Sequence, residues 1–253
     1  MMLKPYYETP LGKLYHGDCL EIMPMLEPVD LVLTDPPYGT TACKWDLVIS
    51  LEPMWEELKR VIKKNGAIVL FGSEPFSSAL RMSNIKNYKY DWIWEKEQGL
   101  GNLNAKKRPL VKTEQISCFY KNQPNYRPQM TNGKPYTIKR EKNNSEFLGK
   151  NGTKDGYITK NTGHRYPVNI LRFNRELKNR YHPTQKPVAL IEYLIKTYTN
   201  EGDTVLDFCI GSGTTAIACE RLNRRWIGIE IEEKWCEIAA KRIEQERKQL
   251  KMF

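Results

Sequence analysis

An aspartate followed by two prolines and a tyrosine has residue types that could activate an amino group. The apolar run Leu31-Val32-Leu33-Thr34 precedes Asp35-Pro36-Pro37-Tyr38. Successive prolines fix the backbone, so the Asp35 carboxylate and the Pro36 carbonyl are held as two acceptors. An exocyclic amino group on a base is a poor nucleophile, and acceptors that pull on its hydrogens make it more reactive. A base rotated out of a duplex could stack on Tyr38, which a plain proline-rich turn would not require.

A second candidate site is a glycine turn in the C-terminal part of the chain. Residues 207–215, Asp-Phe-Cys-Ile-Gly-Ser-Gly-Thr-Thr, follow a short apolar run and open a helical pattern. Glycines in this context let the backbone approach a nucleoside, although they also occur in plain strand-to-helix turns. Glu230 follows Gly211 by 19 residues. An acidic side chain at the tip of the next strand is the expected partner of ribose hydroxyls, so nucleoside binding is favoured.

The strands and helices that would position these motifs alternate along the chain. Short β-branched runs predict buried strands, and apolar residues at helical spacing predict the helices between them. The alternation predicts a doubly wound, mostly parallel α/β sheet with its ligands at the carboxyl ends of strands, just after Leu33 and Leu206. The predicted strands are residues 31–34, 67–71, 90–94, 115–120, 204–206 and 226–229, and the predicted helices are residues 51–63, 188–198, 214–222 and 233–248.

Positive charge is concentrated in one segment. Residues 121–180 contain 14 of the 40 basic residues and 4 of the 30 acidic ones, which equals the whole net charge of +10. Hydrophobic periodicity is lost over most of this segment, which is typical of irregular structure. We therefore predict one domain made of residues 1–120 and 181–253, interrupted by a basic insertion at 121–180. Phosphates are the expected partners of the insertion and of Lys106, Lys107 and Arg108.

The two motifs together resemble those of the DNA amino-methyltransferase family. Because Asp35-Pro36-Pro37-Tyr38 precedes residues 207–215, the order resembles the circularly permuted β group of that family. The resemblance implies a Rossmann-like, S-adenosylmethionine-dependent methyltransferase whose insertion is a target-recognition region. Double-stranded DNA would be the substrate, and Asp35, Pro36, Pro37 and Tyr38 would be the catalytic residues. The aspartate before the two prolines resembles adenine-directed members, which implies methylation of adenine N6.

Three further segments carry the resemblance. His182-Pro183-Thr184-Gln185-Lys186-Pro187 resembles a motif that contacts the methionine end of the cofactor. Gly17-Asp18-Cys19 resembles a segment whose acidic residue holds the adenine amino group of the cofactor, and Phe71-Gly72-Ser73 resembles another strand end that lines the cofactor. Members commonly have proline and phenylalanine where this chain has Phe208 and Cys209. The cofactor-binding residues implied are Asp18, Phe71, Thr184, Lys186, Asp207, Phe208, Gly211, Gly213 and Glu230.

Several alternatives and exclusions accompany this interpretation. Methylation of cytosine N4 uses the same chemistry, as would methylation of an RNA base or an amide. A catalytically silent DNA-binding protein and a dinucleotide-dependent oxidoreductase are the alternatives from other classes. The six cysteines lack metal-ligand or disulfide spacing, so we expect no metal. No apolar stretch has the length of a signal or membrane span, which predicts a cytoplasmic location. A homodimer and a cognate restriction endonuclease are further expected partners.

Overall fold

The computed structural model describes residues 3–40, 46–140, 157–176, 178, 181–182 and 184–250. Two compact units are present: Met1–Arg127 with Asn169–Phe253, and Pro128–Val168. The second unit is narrower than the predicted insertion at 121–180, since residues 169–172 belong to the first unit and pair with its sheet. Residues 141–156, 177, 179 and 180 of that insertion lie outside the described residues.

Nine strands of the first unit form one sheet, and the predicted doubly wound α/β fold is confirmed. In spatial order the strands are β1 (Tyr7–Glu8), β2 (Gly12–His16), β13 (Arg225–Glu230), β12 (Thr204–Asp207), β3 (Val29–Thr34), β4 (Ile62–Gly72), β6 (Val111–Phe119), β5 (Tyr88–Leu100) and β11 (Ile170–Arg172). In this spatial order, each neighbouring pair from β2 to β4 is parallel, whereas β6 runs antiparallel to both β4 and β5.

Helices cover both faces of this sheet because the central strands are apolar on both sides. Leu31 and Leu33 of β3 pack into one core with residues of α4, while Val32 packs into a second core with residues of α2. This alternation follows the two-residue period of a strand. The helices are α1 (Cys19–Ile22), α2 (Leu51–Val61), α3 (Phe76–Ser83), α4 (Val188–Tyr198), α5 (Thr214–Leu222) and α6 (Glu233–Leu250), with short 3₁₀ turns at Met23–Met25 and Asn102–Asn104.

The structure extends some predicted elements and adds others. Cross-strand pairing carries β5 and β6 beyond their apolar cores, through the pairs Glu95–Thr113 and Leu100–Val111. The pairing itself stabilises these extensions, so the hydrophobic periodicity of either strand alone does not reveal them. The strands β1, β2 and β11 and the helices α1 and α3 were also not predicted. All of them are short, with two to eight residues each.

In its described residues, 128–140 and 157–168, the second unit contains two small antiparallel sheets. β7 (Thr131–Asn132) pairs with β10 (His164–Arg165), and β8 (Tyr136–Arg140) pairs with β9 (Tyr157–Asn161). The Arg165 guanidinium lies over the Tyr136 ring, 4.7 Å from its centroid. Residues 128–140 and 157–168 contain five Lys or Arg residues and no Asp or Glu. The described part of this unit is therefore uniformly basic.

Among the described helices, none is both long and apolar enough to cross a membrane.

Candidate functional site

A cavity of about 740 Å³ opens where the parallel strands end. Because β12 pairs with β3, the segments that follow both strands meet at this edge of the sheet. The cavity is lined by twelve of the thirteen predicted site residues: Asp18, Asp35, Pro36, Pro37, Tyr38, Phe71, Thr184, Lys186, Asp207, Phe208, Gly211 and Glu230. Residues that are 212 positions apart in sequence, such as Asp18 and Glu230, thus share one cavity.

Gly213 is the predicted residue that does not line the cavity. It precedes α5 with a φ of +85°, and a Cβ there would lie 3.0 Å from the Ala239 side chain of α6. Its lack of a side chain allows close packing between the glycine turn and α6. Gly211 differs, because its φ is +53° and a Cβ there would meet no atom within 4 Å. Open space beside Gly211 is what a bound nucleoside requires.

Asp207 ties the two motifs together. Its carboxylate accepts hydrogen bonds from the Thr34 and Thr215 hydroxyls, each 2.6 Å long. The Thr34 hydroxyl oxygen in turn accepts from the Phe208 amide at 2.9 Å. Burial raises the pKa of Asp207 to about 6, although these hydrogen bonds oppose the rise. Asp207 therefore joins β12 to β3 and to the start of α5, which fixes the glycine turn beside Asp35.

Asp35 lies at the end of β3 with both carboxylate oxygens engaged. The Lys186 ammonium is 2.5 Å from Oδ2, and the Tyr38 hydroxyl donates to Oδ1. Burial raises the pKa of Asp35 above its ordinary value, and the Lys186 charge opposes that shift. The resemblance placed Lys186 at the methionine end of the cofactor, and in this structure its ammonium contacts the Asp35 carboxylate.

Glu114 is a site residue that the sequence reasoning missed. Its Oε1 accepts from the Tyr38 hydroxyl at 3.0 Å and pairs with Lys186 at 2.8 Å, while Oε2 pairs with Lys96 at 2.8 Å. Burial would raise its pKa, but the two ammonium groups outweigh burial and lower the pKa to about 2. Because β6 is antiparallel, its amino end lies beside the carboxyl end of β4. A search confined to residues that follow strands cannot find Glu114.

Asp46 is a second missed residue, and it positions the loop that follows Asp35. The carboxylate is buried and accepts three backbone amides: Tyr38 at 2.8 Å, Gly39 at 2.9 Å and Thr40 at 2.9 Å. Gly39 has a φ of +68°, so the chain turns left-handed directly after the motif. A carboxylate that binds several consecutive amides holds their loop in one conformation. The spacing from Asp35 to Asp46 carried no recognisable signal for this contact.

One face of the Tyr38 ring is already covered. Phe76, at the start of α3, stacks on Tyr38 with 5.1 Å between ring centroids and 25° between ring planes. The Lys186 ammonium lies 5.8 Å from the Tyr38 centroid and 5.0 Å from the Phe71 centroid. Phe76 therefore supports Tyr38 from one side, and the remaining face is the one on which a base could stack.

Elsewhere in the cavity, Glu230, the last residue of β13, faces the glycine turn. Its Oε2 accepts from the Gly211 amide and its Oε1 from the Glu232 amide, both at 2.9 Å. Burial raises the pKa of Glu230, and the amide hydrogen bonds oppose that shift. A carboxylate has about four lone-pair sites, so two remain after these contacts. Glu230 can therefore still accept hydrogen bonds from two ligand hydroxyls.

Trp235 provides a test of whether a polar ligand fits this end. Its indole nitrogen is buried and has no hydrogen-bond partner among the described residues. The Trp235 side chain lines the cavity and packs edge-on against the His182 ring, with 4.2 Å between the two ring centroids. Buried donors are rarely left unpaired, so a ligand acceptor at this position would satisfy the indole N–H. A nucleoside with several acceptors fits that requirement.

The remaining predicted cofactor residues surround the same space. The Asp18 carboxylate accepts from the Leu20 amide at 2.8 Å and so caps α1. Thr184 bonds through its hydroxyl to His182 Nδ1 at 2.9 Å. Phe71 and Phe208 are almost fully buried and present only small areas to the cavity. Among the described residues, no group of three or more His, Cys, Asp or Glu side chains is arranged to hold a metal ion.

Comparison with known proteins gives one family and several close relatives. The profile of a family described as a DNA methylase matches residues 29–241. The Type II methyltransferase M2.DpnII of Streptococcus pneumoniae is 30% identical over 97% of this chain and 94% of its own length. The DNA adenine methyltransferase YhdJ of Escherichia coli is 31% identical over 90% of this chain and 81% of its own length.

Two solved structures resemble this fold. The M1.HpyAVI–SAM complex superposes with a TM-score of 0.63 and 28% identity, covering 91% of this chain and 99% of that one. The cytosine-N4-specific PvuII DNA methyltransferase gives a TM-score of 0.70 at 20% identity, covering 94% of this chain and 88% of that one. At that identity the second likeness is one of fold alone.

Proposed function

This chain belongs to the DNA methylase family, and from that premise we propose that it transfers a methyl group from S-adenosylmethionine to adenine N6 in DNA. The observation that carries the proposal is the shared cavity. A rigid carboxylate, Asp35, and a nucleoside-binding glycine turn with Glu230 open into the same space. An oxidoreductase would leave the Asp35 motif without a role, so the turn alone does not support that alternative.

The cofactor's nucleoside is expected at the Glu230 end of the cavity. Glu230 would accept the ribose hydroxyls, Asp18 the adenine amino group, and the open space beside Gly211 would admit the sugar. The unpaired indole N–H of Trp235 would donate to a cofactor acceptor. When bound there, S-adenosylmethionine supplies a sulfonium methyl group that an amino nitrogen can attack directly. The support for this cofactor is the family and the SAM complex of the M1.HpyAVI neighbour.

The Asp35 end would hold the target base. Asp35 Oδ1 and the Pro36 carbonyl would accept the two hydrogens of the amino group, which raises electron density on its nitrogen. The Tyr38 hydroxyl occupies Oδ1 in this structure, so a bound base takes its place. As the new N–C bond forms, the nitrogen gains positive charge that the Asp35 carboxylate stabilises. Asp35 then accepts the proton that the nitrogen loses.

Adenine is favoured over cytosine by two observations. The motif begins with aspartate, as in the adenine-directed members that it resembles, and YhdJ is named a DNA adenine methyltransferase. Methylation of cytosine N4 remains the alternative because the same acceptors can hold either amino group.

The Type II names of the relatives support a cognate restriction endonuclease as a functional partner. We also propose residues 121–180 as the target-recognition region, and a homodimer.

Binding to DNA should depend steeply on salt. The described part of the second unit has five basic and no acidic residues, and such residues release counterions when they contact phosphates. Raising salt from about 50 to about 200 mM is expected to weaken duplex binding on the order of 10³-fold. Fluorescence anisotropy with a labelled duplex measures this effect, and cofactor affinity in the same buffers is the control. An affinity for DNA that is independent of salt would contradict the phosphate contacts.

The rate of methyl transfer should fall in acid at a pH above the ordinary range of an aspartate. Only the ionised Asp35 can accept hydrogens from the amino group, and burial raises its pKa. The rate therefore rises with pH through that elevated pKa and then reaches a plateau. Single-turnover rates at saturating cofactor measure this profile. Asp207, with a pKa of about 6, acts on the cofactor turn, so cofactor affinity at each pH separates the two. A flat profile down to the ordinary range of aspartate would refute the role of Asp35.

Identification of the methylated nucleoside tests the function. The purified protein is incubated with methyl-labelled S-adenosylmethionine and mixed-sequence duplex DNA, and the digested nucleosides are identified by mass. We expect label in N6-methyladenine, and no label with the Asp35→Asn protein purified in the same way. Label in N4-methylcytosine would keep the mechanism and change the base. Label in RNA or protein, with none in DNA, would refute the proposed substrate.

A further inference from the structure

Residues 101–110 form the turn between β5 and β6. We call it the hairpin tip. All ten of its residues are exposed, and Leu103 is 100% exposed. Single exposed leucines are common, but one at the end of a long hairpin is displayed to whatever approaches that edge. This leucine contributes nothing to the core and is free to contact a partner.

The hairpin tip is ordered by its own backbone. Amide-to-carbonyl hydrogen bonds join Asn104 to Gly101 at 2.9 Å, Ala105 to Asn102 at 3.1 Å, and Lys107 to Asn104 at 2.8 Å. The first of these belongs to the 3₁₀ turn that contains Leu103. A preformed turn loses little conformational freedom when it binds. The hairpin tip therefore presents Leu103 in a fixed position.

The strands beneath the hairpin tip form one wall of the cavity. Lys96 and Leu100 of β5 and Glu114 of β6 line it. Leu103 follows Leu100 by three residues, so it lies within about 11 Å of that lining residue, given the maximum reach of an extended chain. A duplex that delivered a base to Asp35 would therefore pass close to the hairpin tip.

The charge of the hairpin tip selects an anionic partner. Lys106, Lys107 and Arg108 are consecutive and exposed, and none of them forms an ion pair within the part of the chain that the structure describes. Three adjacent cations without carboxylate partners strongly attract phosphates. The apolar side chain of Leu103 lies beside these cations in sequence, and it is suited to contact the stacked bases that lie between the two phosphate backbones of a duplex.

We propose that the hairpin tip inserts Leu103 into the duplex beside the target base, while Lys106, Lys107 and Arg108 hold the flanking phosphates. Rotating a base out of the stack leaves a gap, and an apolar side chain that fills the gap offsets part of the lost stacking. Leu103 stabilises the opened duplex in this arrangement and touches neither the cofactor nor the reacting atoms. The inference rests on the proposed function, since it requires a DNA substrate with a rotated base.

Replacing Leu103 with alanine tests the insertion. Wild-type enzyme first identifies its target sequence, and a duplex that contains this site is then used with a paired or a mismatched target base. On the paired duplex, Leu103→Ala is expected to lower kcat/KM by about 10- to 100-fold, because the energy needed to unstack the target base is no longer partly offset by an inserted side chain. On the mismatched duplex the loss should shrink to about 3-fold or less, because a mismatched base is already easier to open. A defect in folding would not be rescued by a mismatch.

Matched variants separate the role of the apolar side chain from that of the charges. Met82→Ala removes a residue of α3 that is 70% exposed, and it should leave kcat/KM unchanged on both duplexes. The triple replacement of Lys106, Lys107 and Arg108 by alanine should reduce the slope of log affinity against log salt by about 2.7, at roughly 0.9 per phosphate contact. Lys59→Ala, which replaces an exposed residue of α2, should leave that slope unchanged.

The outcomes distinguish this inference from the proposed function. Wild-type enzyme that methylates DNA, with a Leu103→Ala protein equally active on the paired duplex, would overturn the insertion and leave the methyltransferase assignment intact. An equal loss on paired and mismatched duplexes would also overturn it. Wild-type enzyme that places no label in DNA would refute the proposed function itself. Loss on the paired duplex with rescue on the mismatched one supports both.

Discussion

The Asp35→Asn protein is expected to transfer methyl groups at least about 10³-fold more slowly than wild type. Removing a single group that stabilises charge in a transition state typically slows catalysis by about 10²- to 10³-fold, so this loss lies at the upper end of that range. The amide keeps the size of the carboxylate but has no negative charge to stabilise the nitrogen. It also accepts a proton far less readily. Affinity for S-adenosylmethionine should change by no more than about 3-fold, because Asp35 bonds to Lys186 and Tyr38 and not to the glycine turn. Rapid-quench kinetics and calorimetric titration measure the two quantities.

Asp30 provides a matched control for this substitution. It lies within β3, at the end of the strand away from Asp35, where its carboxylate pairs with Lys63 at 2.8 Å and accepts from the Thr204 amide at 2.9 Å. Asp30→Asn should therefore leave the methyl transfer rate near that of wild type. If Asp35→Asn retained more than about a tenth of the wild-type rate, less than 1.4 kcal/mol of transition-state stabilisation would come from the carboxylate. Asp35 would then serve only to position Lys186 and Tyr38.

The parts of the site that follow parallel strands could be predicted from sequence. Two short apolar runs, Leu31 to Thr34 and Thr204 to Leu206, are each followed directly by an aspartate. Short, continuous apolar runs of this kind are typical of buried parallel strands. Once the sheet is inferred, the rule that ligands bind at carboxyl ends brings Asp35 and Asp207 together. The structure pairs these two strands directly, with Leu206 opposite Val32. Local pattern and topology agree at this point.

Residues that reach the site from other elements could not be found in the same way. Glu114 enters from the amino end of an antiparallel strand, and strand direction is not encoded in the hydrophobic pattern of residues 115–120. Phe76 supports Tyr38 from a helix of eight residues, too short for a periodic signal. Asp46 recognises three backbone amides, whose positions exist only after the loop has folded. Each contact depends on tertiary geometry.

The Asp35 carboxylate is embedded in a chain of alternating charges, which explains why it can be ionised although it is half-buried. Lys186 contacts both Asp35 and Glu114, and Lys96 contacts Glu114 from the far side. Two carboxylates close together would repel each other, and the two ammonium groups compensate for that repulsion. Burial raises the pKa of Asp35, while Glu114 has its pKa lowered to about 2 and keeps a fixed negative charge. Glu230, the residue proposed to hold the cofactor's ribose, bonds instead to the Gly211 and Glu232 amides.

That separation of the two ends leads to the second large effect. Replacing Glu230 with alanine is expected to weaken S-adenosylmethionine binding by on the order of 10²-fold or more, because two charge-assisted hydrogen bonds to ribose hydroxyls are lost at roughly 1.5–3 kcal/mol each. The Gly211 and Glu232 amides also lose their acceptor, which loosens the turn. At saturating cofactor the methyl transfer rate should stay within about 10-fold of wild type, the reverse of the Asp35→Asn pattern. Calorimetry and single-turnover rates measure both quantities, with Glu233→Ala, an exposed neighbour in α6, as the control. Unchanged cofactor affinity in the Glu230 variant would place the ribose elsewhere in the cavity.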